Sequence, residues 1–555
     1  MPALAVLVLL IIQSDSAALL SHARRAQVDF ERIRMFLLPA GFAHRGERCD
    51  ARIGRFCYWS DGADSHTPVE PARIGVERTH LLAVLDSVAH ALPGDGWVVG
   101  QRVRYLIEAG RTLDAAIAAQ DCRADSWWCA ALEGLAWHSA GDAEAAERLF
   151  RSALELMSGD ERCRWTDLSN LLGEPLRRRY RALSCDERSG FESRVWWLAQ
   201  PLWSRAGNDR RTEHYARLTL ARLLEHARSP YGLWADDERE MTVRYGWPLA
   251  WERDDGSVGS MREPVAIGHE PEPSYHFVPD ARTFDALSPG DEPSAQGIEL
   301  QAALERYAPA YAARFSVLEP EFATFRRGES TLVVAGYDVS EDTLYRRASR
   351  EAALVLARDE WSSPVVVRHA DAAPSGVLVA EAPWQPAWLA LELQAPGAGA
   401  AARARERPPA LVPSAGAVTL SGILPFEASD SLPADLGAAL ARAHIGGVGR
   451  GERIGLYWEA YGLALGEDIS TAVTVTPERH GWLRRVAATL RLAKDKGSIR
   501  VEWREATRLE QGRAARALVL DLAGLTAGRY RIDIAVSPAG RAAATTSRRL
   551  DVVER

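Results

Sequence analysis

The sequence predicts a multidomain α + β protein, helical in its first part and built from short strands in its last. Three observations predict it. A chain of 555 residues is too long for one hydrophobic core and calls for several. Apolar residues recur at helical spacing up to about Cys185, as in Ala146, Phe150 and Ala153. Beyond Arg314, runs such as STLVVAGYDV, EAALVLA and GRYRIDIAV are short, β-branched and separated by turn residues, as in stacked sheets.

The opening MPALAVLVLLIIQSDSAALL carries an apolar run from Ala3 to Ile12, then the small residues Ser14, Ser16, Ala17 and Ala18. A run this short falls below the roughly 20 apolar residues a membrane span needs. It reads as a signal peptide over 1–18, although no Lys or Arg precedes the run, and the expectation is an exported protein, periplasmic or secreted. No later stretch is apolar enough to span a membrane. The six cysteines agree with export: Cys49, Cys57, Cys122, Cys129, Cys163 and Cys185 all lie in the first third. Nearest-neighbour pairing is the simplest of their possible connectivities. With no CxxC pair and no His beside the thiols, zinc is a poor reading, and no cofactor is expected. A net charge of -8 argues against nucleic acid as a partner.

Residues 19–185 read as a helical repeat domain. In the segment Trp127 to Asp160, Gly134 marks a close approach of two antiparallel helices, with Trp137 expected to fill the gap. Gly141 makes the turn, and Ala146, Phe150 and Ala153 line the inner face of the second helix. This resembles a tetratricopeptide repeat, and a poorer copy precedes it, with Gly110 as its turn. Such pairs stack into a solenoid whose concave groove binds peptides or proteins, so protein partners in that groove are expected. A plain helical bundle is the alternative.

Residues 186–255 change character. Asn208 stands where it would cap a helix carrying Tyr215 and Leu218, and Met241, Val243 and Tyr245 alternate with polar residues as in a half-buried strand. Here the chain resembles the GWxTD-domain proteins, a bacterial family often found with tetratricopeptide repeats. The matching residues are Trp197 and Pro201; Asn208, His214, Tyr215 and Arg217; Gly232, Trp234 and Asp237; and Tyr245, Gly246 and Pro248. Gln200 and His214 replace acids of the family pattern, and the Gly to Trp spacing carries an insertion. The resemblance implies an organisation, not a reaction.

Residues 256–312 are rich in Pro, Glu and Gly and read as a connector with one helix near Gln296 to Tyr307. Two immunoglobulin-like sandwiches are expected over 313–425 and 426–555, with LDLAGLTAGRYRIDIAV as the penultimate hairpin.

Chemistry is sparse. Asp236, Asp237, Glu238 and Glu240 could be paired carboxylates of a glycoside hydrolase, but four acids so close together read better as a solvated turn. His214 beside Glu213 and Arg217 has no nucleophile or metal to serve. GGVGRGERIG lacks phosphate-loop spacing, and HExxH and GxSxG are absent. Trp458, Trp482 and Trp503 could stack on sugars, yet alternation sets Trp458 with Leu456 in the core. The reading is a non-catalytic exported scaffold or protein-interaction protein. The alternative is a glycan-binding protein or hydrolase centred on the GWxTD-like segment. Convergence of Asp236, Asp237, His214 and Arg217 in one cleft would favour the alternative.

Overall fold

The structure is a computed structural model that describes residues 2–40, 51–53, 56–58, 68–229, 236–254, 265–269, 275–285, 304–319, 321–383, 387–408, 411, 416–478 and 498–554, with side chains of the first helix from residue 15. The chain divides into two compact units, Met1–Asp285 with Ser294–Phe315, and Ala286–Pro293 with Ser316–Arg555.

The first unit is mainly helical. Its main helices are α1 (Pro2–Leu37), α2 (Ala72–Ala91), α3 (Gly96–Glu108), α4 (Thr112–Gln120), α5 (Ser126–Ser139) and α6 (Ala143–Leu156), then α7 (Gly159–Thr166), α8 (Glu174–Arg181), α9 (Arg188–Ala199), α10 (Asp209–Glu225) and α11 (Asp236–Tyr245). Two small hairpins accompany them, β1 (Ala51–Ile53) with β2 (Phe56–Tyr58) and β3 (Ala250–Asp254) with β4 (Val265–His269).

Helices α3–α4 and α5–α6 form successive pairs. Gly110 and Gly141 turn between them at positive φ, +72° and +84°, where a Cβ would be strained. Asp95 and Asp142 cap α3 and α6 by accepting from backbone N–H groups. Gly134 does mark a close approach, but the group that fills it is Phe150, not Trp137: a Cβ on Gly134 would sit 2.9 Å from the Phe150 ring. Ala146, Phe150 and Ala153 are buried as expected, and Trp137 is only partly so.

A buried ionic tetrad ties α1 to α3. Glu31 accepts from Arg104 at 3.0 Å and from the Tyr105 hydroxyl at 2.6 Å, while Glu108 takes Arg34 and, at 2.9 Å, Arg104 Nε. Two carboxylates and two guanidinium groups neutralise one another, the condition under which buried charge is tolerated.

Two disulfides lie among the described residues, Cys122–Cys129 with Cα atoms 5.6 Å apart and Cys163–Cys185 with Cα atoms 5.9 Å apart. Both match nearest-neighbour pairing. Cys49 lies outside the described residues, as do Gly232, Trp234 and Trp482. Replacing Cys122 and Cys129 together by Ser removes a short covalent loop and should cost about 2 kcal/mol, read as a lower denaturation midpoint. An unchanged midpoint under oxidising conditions would show that the bond does not constrain the unfolded chain.

Two expectations are corrected here. Residues 241–245 are not a strand but the end of α11. The alternation of Met241, Val243 and Tyr245 is short enough to suit either period, and the acids that precede it belong to the first turn of a helix, where its dipole favours negative charge. Glu238 is moreover buried, not turned to water. Nor is Leu304 to Tyr307 helical: Tyr307 bridges Tyr275 in extended conformation, and the stretch packs into the first unit.

Among its described residues the second unit is a stack of four sheets. It begins on β5 (Arg314–Val317) and continues with β6 (Glu321–Arg327), β7 (Ser330–Asp338), β8 (Glu351–Ala357), β9 (Val365–His369), β10 (Ser375–Pro383), β11 (Trp388–Ala395) and β12 (Ala400–Glu406). These form sheets ordered β10-β7-β6 and β5-β12-β11-β8-β9. The rest comprises β13 (Thr419–Leu420), β14 (Leu424–Glu427), β15 (Val448–Gly449), β16 (Arg453–Tyr461), β17 (Asp468–Pro477), β18 (Ile499–Ala506), β19 (Arg513–Asp521), β20 (Gly528–Pro538) and β21 (Ala544–Val553). In one of their sheets β16 pairs with β13, β14 and β19; the other runs β15-β21-β20-β17-β18.

Side-chain alternation builds the stack. On β7, Val333, Ala335 and Tyr337 face the first sandwich core, while Val334 points the other way against Phe426 and Tyr457. On β16, Ile454, Leu456 and Trp458 enter the second core and Tyr457 faces back. The two sandwiches thus share a third core between their inner sheets. The stretch expected to be a hairpin is a crossing: β19 pairs with β16, and β20 with β17 and β21, so the chain passes from one sheet to the other.

Candidate functional site

Helix α10 organises the first unit. The Asn208 side chain accepts from Arg211 N–H at 2.9 Å, and Asp209 adds an acid in the first turn. Beyond the cap the helix is buried almost all round, the mark of a central helix. It lies against α3, α5 and α6: Gln101 donates to the Leu223 carbonyl at 2.7 Å, and Tyr215 packs on Phe150 with ring centroids 5.6 Å apart. A Cβ on Gly100 would collide with Leu223. The faces of α3, α5 and α6 that meet α10 are thus packed within the chain itself.

The residues matched to the GWxTD pattern serve this packing. His214 is fully buried beside Trp196, with centroids 5.1 Å apart, and neither ring nitrogen has a hydrogen-bond partner among the described residues. Burial, and then the charges of Arg210 and Arg217, push its pKa down to about 3. It stays neutral. Arg217 donates to the Arg244 carbonyl at 2.9 Å, in the last turn of α11, and to the Arg306 carbonyl at 2.8 Å, and it pairs with Glu213. Gly246 follows that end at φ +93°, and a Cβ there would sit 3.2 Å from the Arg217 guanidinium. Tyr245 is buried, and Trp197 stacks on Trp203 at 4.7 Å, with Pro201 buried between them in sequence.

One cleft, of about 360 Å³, opens beside α10. Asp209, Glu213, Ala216, Arg217 and Leu220 form its floor, a stripe at helical spacing. Leu135 and His138 of α5 face them, with Arg104 and Ile107 of α3. Trp247, Tyr307 and Tyr311 supply an aromatic side. Glu213 bonds His138 Nε2 at 2.6 Å. Burial by itself would raise the Glu213 pKa, but Arg217 and His138 outweigh it and hold the carboxyl well below the usual range. Asp209 accepts from the Tyr307 hydroxyl at 3.0 Å, and burial raises its pKa.

Of the four groups whose convergence would favour an active site, only Arg217 lines this cleft. His214 is sealed elsewhere, Asp236 is exposed and Asp237 partly so, both on the first turn of α11. Of the residues that line the cleft, Gly141, Glu213 and Arg217 were singled out in the sequence for other reasons, and most of the rest were missed. The Asp209 to Leu220 stripe carried a signal there, but Tyr307, which meets Asp209 across 98 residues, carried none.

No family model matches the chain, and no curated protein matches it. Among solved structures it is similar to red sea bream transglutaminase, at 11% identity over 42% of this chain and 31% of that one, with a TM-score of 0.14. It is also similar to Escherichia coli alpha-2-macroglobulin activated by porcine elastase, at 13% identity over 43% and 23%, again with a TM-score of 0.14. The chain thus covers less than a third of each. Likeness at this level carries no argument about function.

Proposed function

We propose that the protein is an exported, non-catalytic scaffold that engages other proteins. The observation that carries this reading is how the ionisable groups around α10 are used. Arg104, Glu108, Glu213 and Arg217 each hold another element of the unit through ion pairs or carbonyl contacts. A catalytic site would leave a base or nucleophile aimed at an open position.

The tetratricopeptide-like reading of the first unit rests on the glycine turns and the Gly134–Phe150 notch. That of a GWxTD-like segment rests on Arg217 and Gly246 meeting at the end of α11. What supports an immunoglobulin-like last sandwich is the β19 to β20 crossing, the parallel pairing of β15 with β21, and the Tyr530 hydroxyl bonded back to the Thr526 carbonyl at 2.9 Å. Protein partners belong to the same proposal, on the faces of the repeat-like helices that α10 does not cover.

Export is supported by the two disulfides and by α1, in which Ala23, Gln27, Phe30 and Glu31 are buried while the apolar run precedes them. Among the described residues no helix is long and apolar enough to cross a membrane. Mass spectrometry of the protein from its native cell should find a mature amino terminus near Leu19 in a non-cytoplasmic fraction. An intact Met1 in the cytoplasm sinks export. Crosslinking in that fraction, followed by identification of the joined chains, tests the scaffold reading; a turnover abolished by a cleft substitution would replace it with an enzyme.

A further inference from the structure

The charges that line the cleft beside α10 balance one another. Three carboxylates, those of Glu108, Asp209 and Glu213, meet three guanidinium groups, those of Arg104, Arg205 and Arg217. Glu108 accepts from Arg104 Nε at 2.9 Å, and Glu213 pairs with Arg217. Asp209 accepts from the Tyr307 hydroxyl at 3.0 Å and from its own backbone N–H, and the charges of Arg205 and His138 favour its ionised form. Both ring nitrogens of His138 are engaged, Nδ1 with Thr212 at 3.0 Å and Nε2 with Glu213 at 2.6 Å. A ligand of either sign would have to break one of these pairs or stand beside a like charge, and would give up its own hydration to do so.

The rest of the lining is mainly apolar and aromatic. Leu135 and Ala216 are buried and Leu220 half-buried, while Leu249, 66% exposed, lies at the outer edge. Trp247, Tyr307 and Tyr311 add rings. The Arg205 guanidinium lies 4.0 Å from the Tyr311 ring centroid and that of Arg104 5.8 Å from Trp247. Ring faces and guanidinium planes are surfaces on which another flat ring stacks. The volume, about 360 Å³, falls at the low end of the roughly 300–1,000 Å³ of small-molecule sites, which suits a body of one or two rings.

We propose that this cleft binds a compact, uncharged aromatic molecule, its ring among Trp247, Tyr307 and Tyr311 and against Leu135, Ala216 and Leu220. Such a body removes apolar surface from water on both sides and leaves the ion pairs of the cleft intact. The internal charge balance sets the selectivity, because it offers neither sign an unmatched partner. The site is independent of the scaffold reading, since binding requires neither export nor a protein partner.

Calorimetric titration of the full chain at neutral pH with naphthaleneethanol, naphthaleneethylammonium and naphthaleneacetate varies the charge on one ring system. The alcohol should bind about tenfold or more tightly than either ion, the size expected for one charge left unmatched in a partly buried site. It should also bind about threefold or more tightly than decahydronaphthaleneethanol, which keeps a similar outline and has no aromatic faces. Arg205→Gln, at an exposed position, takes one cation out of the balance, and the ammonium should then gain on the acetate by about fivefold or more. Leu220→Trp, which fills the cleft and leaves every charge in place, should remove binding of all four titrants. The proposal is overturned by an ion that binds as tightly as the alcohol, by equal affinities of the aromatic and saturated alcohols, or by absence of heat with the aromatic alcohol. An unchanged order of the two ions in Arg205→Gln, or binding that survives Leu220→Trp, overturns it as well. Circular dichroism checks the folding of the variants. If Leu220→Trp does not fold, the wild-type series and Arg205→Gln decide.

Discussion

Arg210→Ala should destabilise the first unit by about 3–5 kcal/mol, the range for removing one partner of a fully buried ion pair. Arg210 and Glu305 are both inaccessible, joined by two bonds of 3.1 and 2.9 Å to one carboxylate oxygen. The other oxygen accepts from His276 and from the backbone N–H groups of Phe277 and Val278. Without the guanidinium, a carboxylate stays buried with only these donors, and Trp196 and Tyr307 lose the cation between their rings. Glu305→Gln in the same chain should restore part of the loss, because the buried charge then disappears. Denaturant midpoints of the two single variants and the double decide it; additive losses would mean that the pair is not coupled.

The same residues set an acid sensitivity. Burial alone would raise the Glu305 pKa, but Arg210, His276 and the backbone donors hold it well below the usual carboxylate range. A depressed folded pKa contributes stability above the unfolded value, roughly pH 4.3, and that stability is lost as pH falls below it. His214 acts earlier: with a folded pKa of about 3, its contribution declines once pH drops below the unfolded value of about 6.5. Stability of the first unit should therefore fall gradually below about pH 6.5 and steeply below about pH 4. His214→Phe should remove the upper part of that decline.

Arg327→Ala should cost the second unit on the order of 3 kcal/mol. Glu459 on β16 is 1% exposed and receives Arg327 of β6 at 2.7 and 3.0 Å, with the Tyr457 and Tyr461 hydroxyls at 2.9 and 2.7 Å. Arg327 comes from the first sandwich and Glu459 from the second, so the pair stitches the shared core. Part of Arg327 reaches solvent, and water can replace some of what is lost, which keeps the figure below the top of the buried-pair range. The variant should also loosen the coupling between sandwiches, seen as broadening or splitting of a single unfolding transition. Phe426→Ala, which empties the same core without touching charge, should do likewise, with a loss of about 3–5 kcal/mol. Loss of stability with a transition that stays sharp in both would show that the sandwiches unfold together for another reason.

Much of this protein is determined locally. Asn208 before α10, Gly141 between helices, and alternation in β17 and β20 act through neighbours a few residues away, and the sequence contains those neighbours. Adjacent cysteines pair for the same reason, since a short loop is the least costly to close. Short elements were decided by their surroundings. Residues 236–245 carry both periods, and α11 forms because Arg217 and Gly246 finish its carboxyl end, a contact across the whole breadth of the segment. Whether β19 and β20 make a hairpin or a crossing depends on the partners each finds elsewhere. The setting of α10 was not legible: through Leu223, Tyr215 and Asp209 it meets groups from distant parts of the chain, and the stripe that lines the cleft can be read in the sequence while the residues facing it cannot. Burial of charge is decided at that level, because a carboxylate such as Glu305 survives in the interior only when folding brings Arg210 to it, and the cost of desolvation ties the two positions together in space, not along the chain.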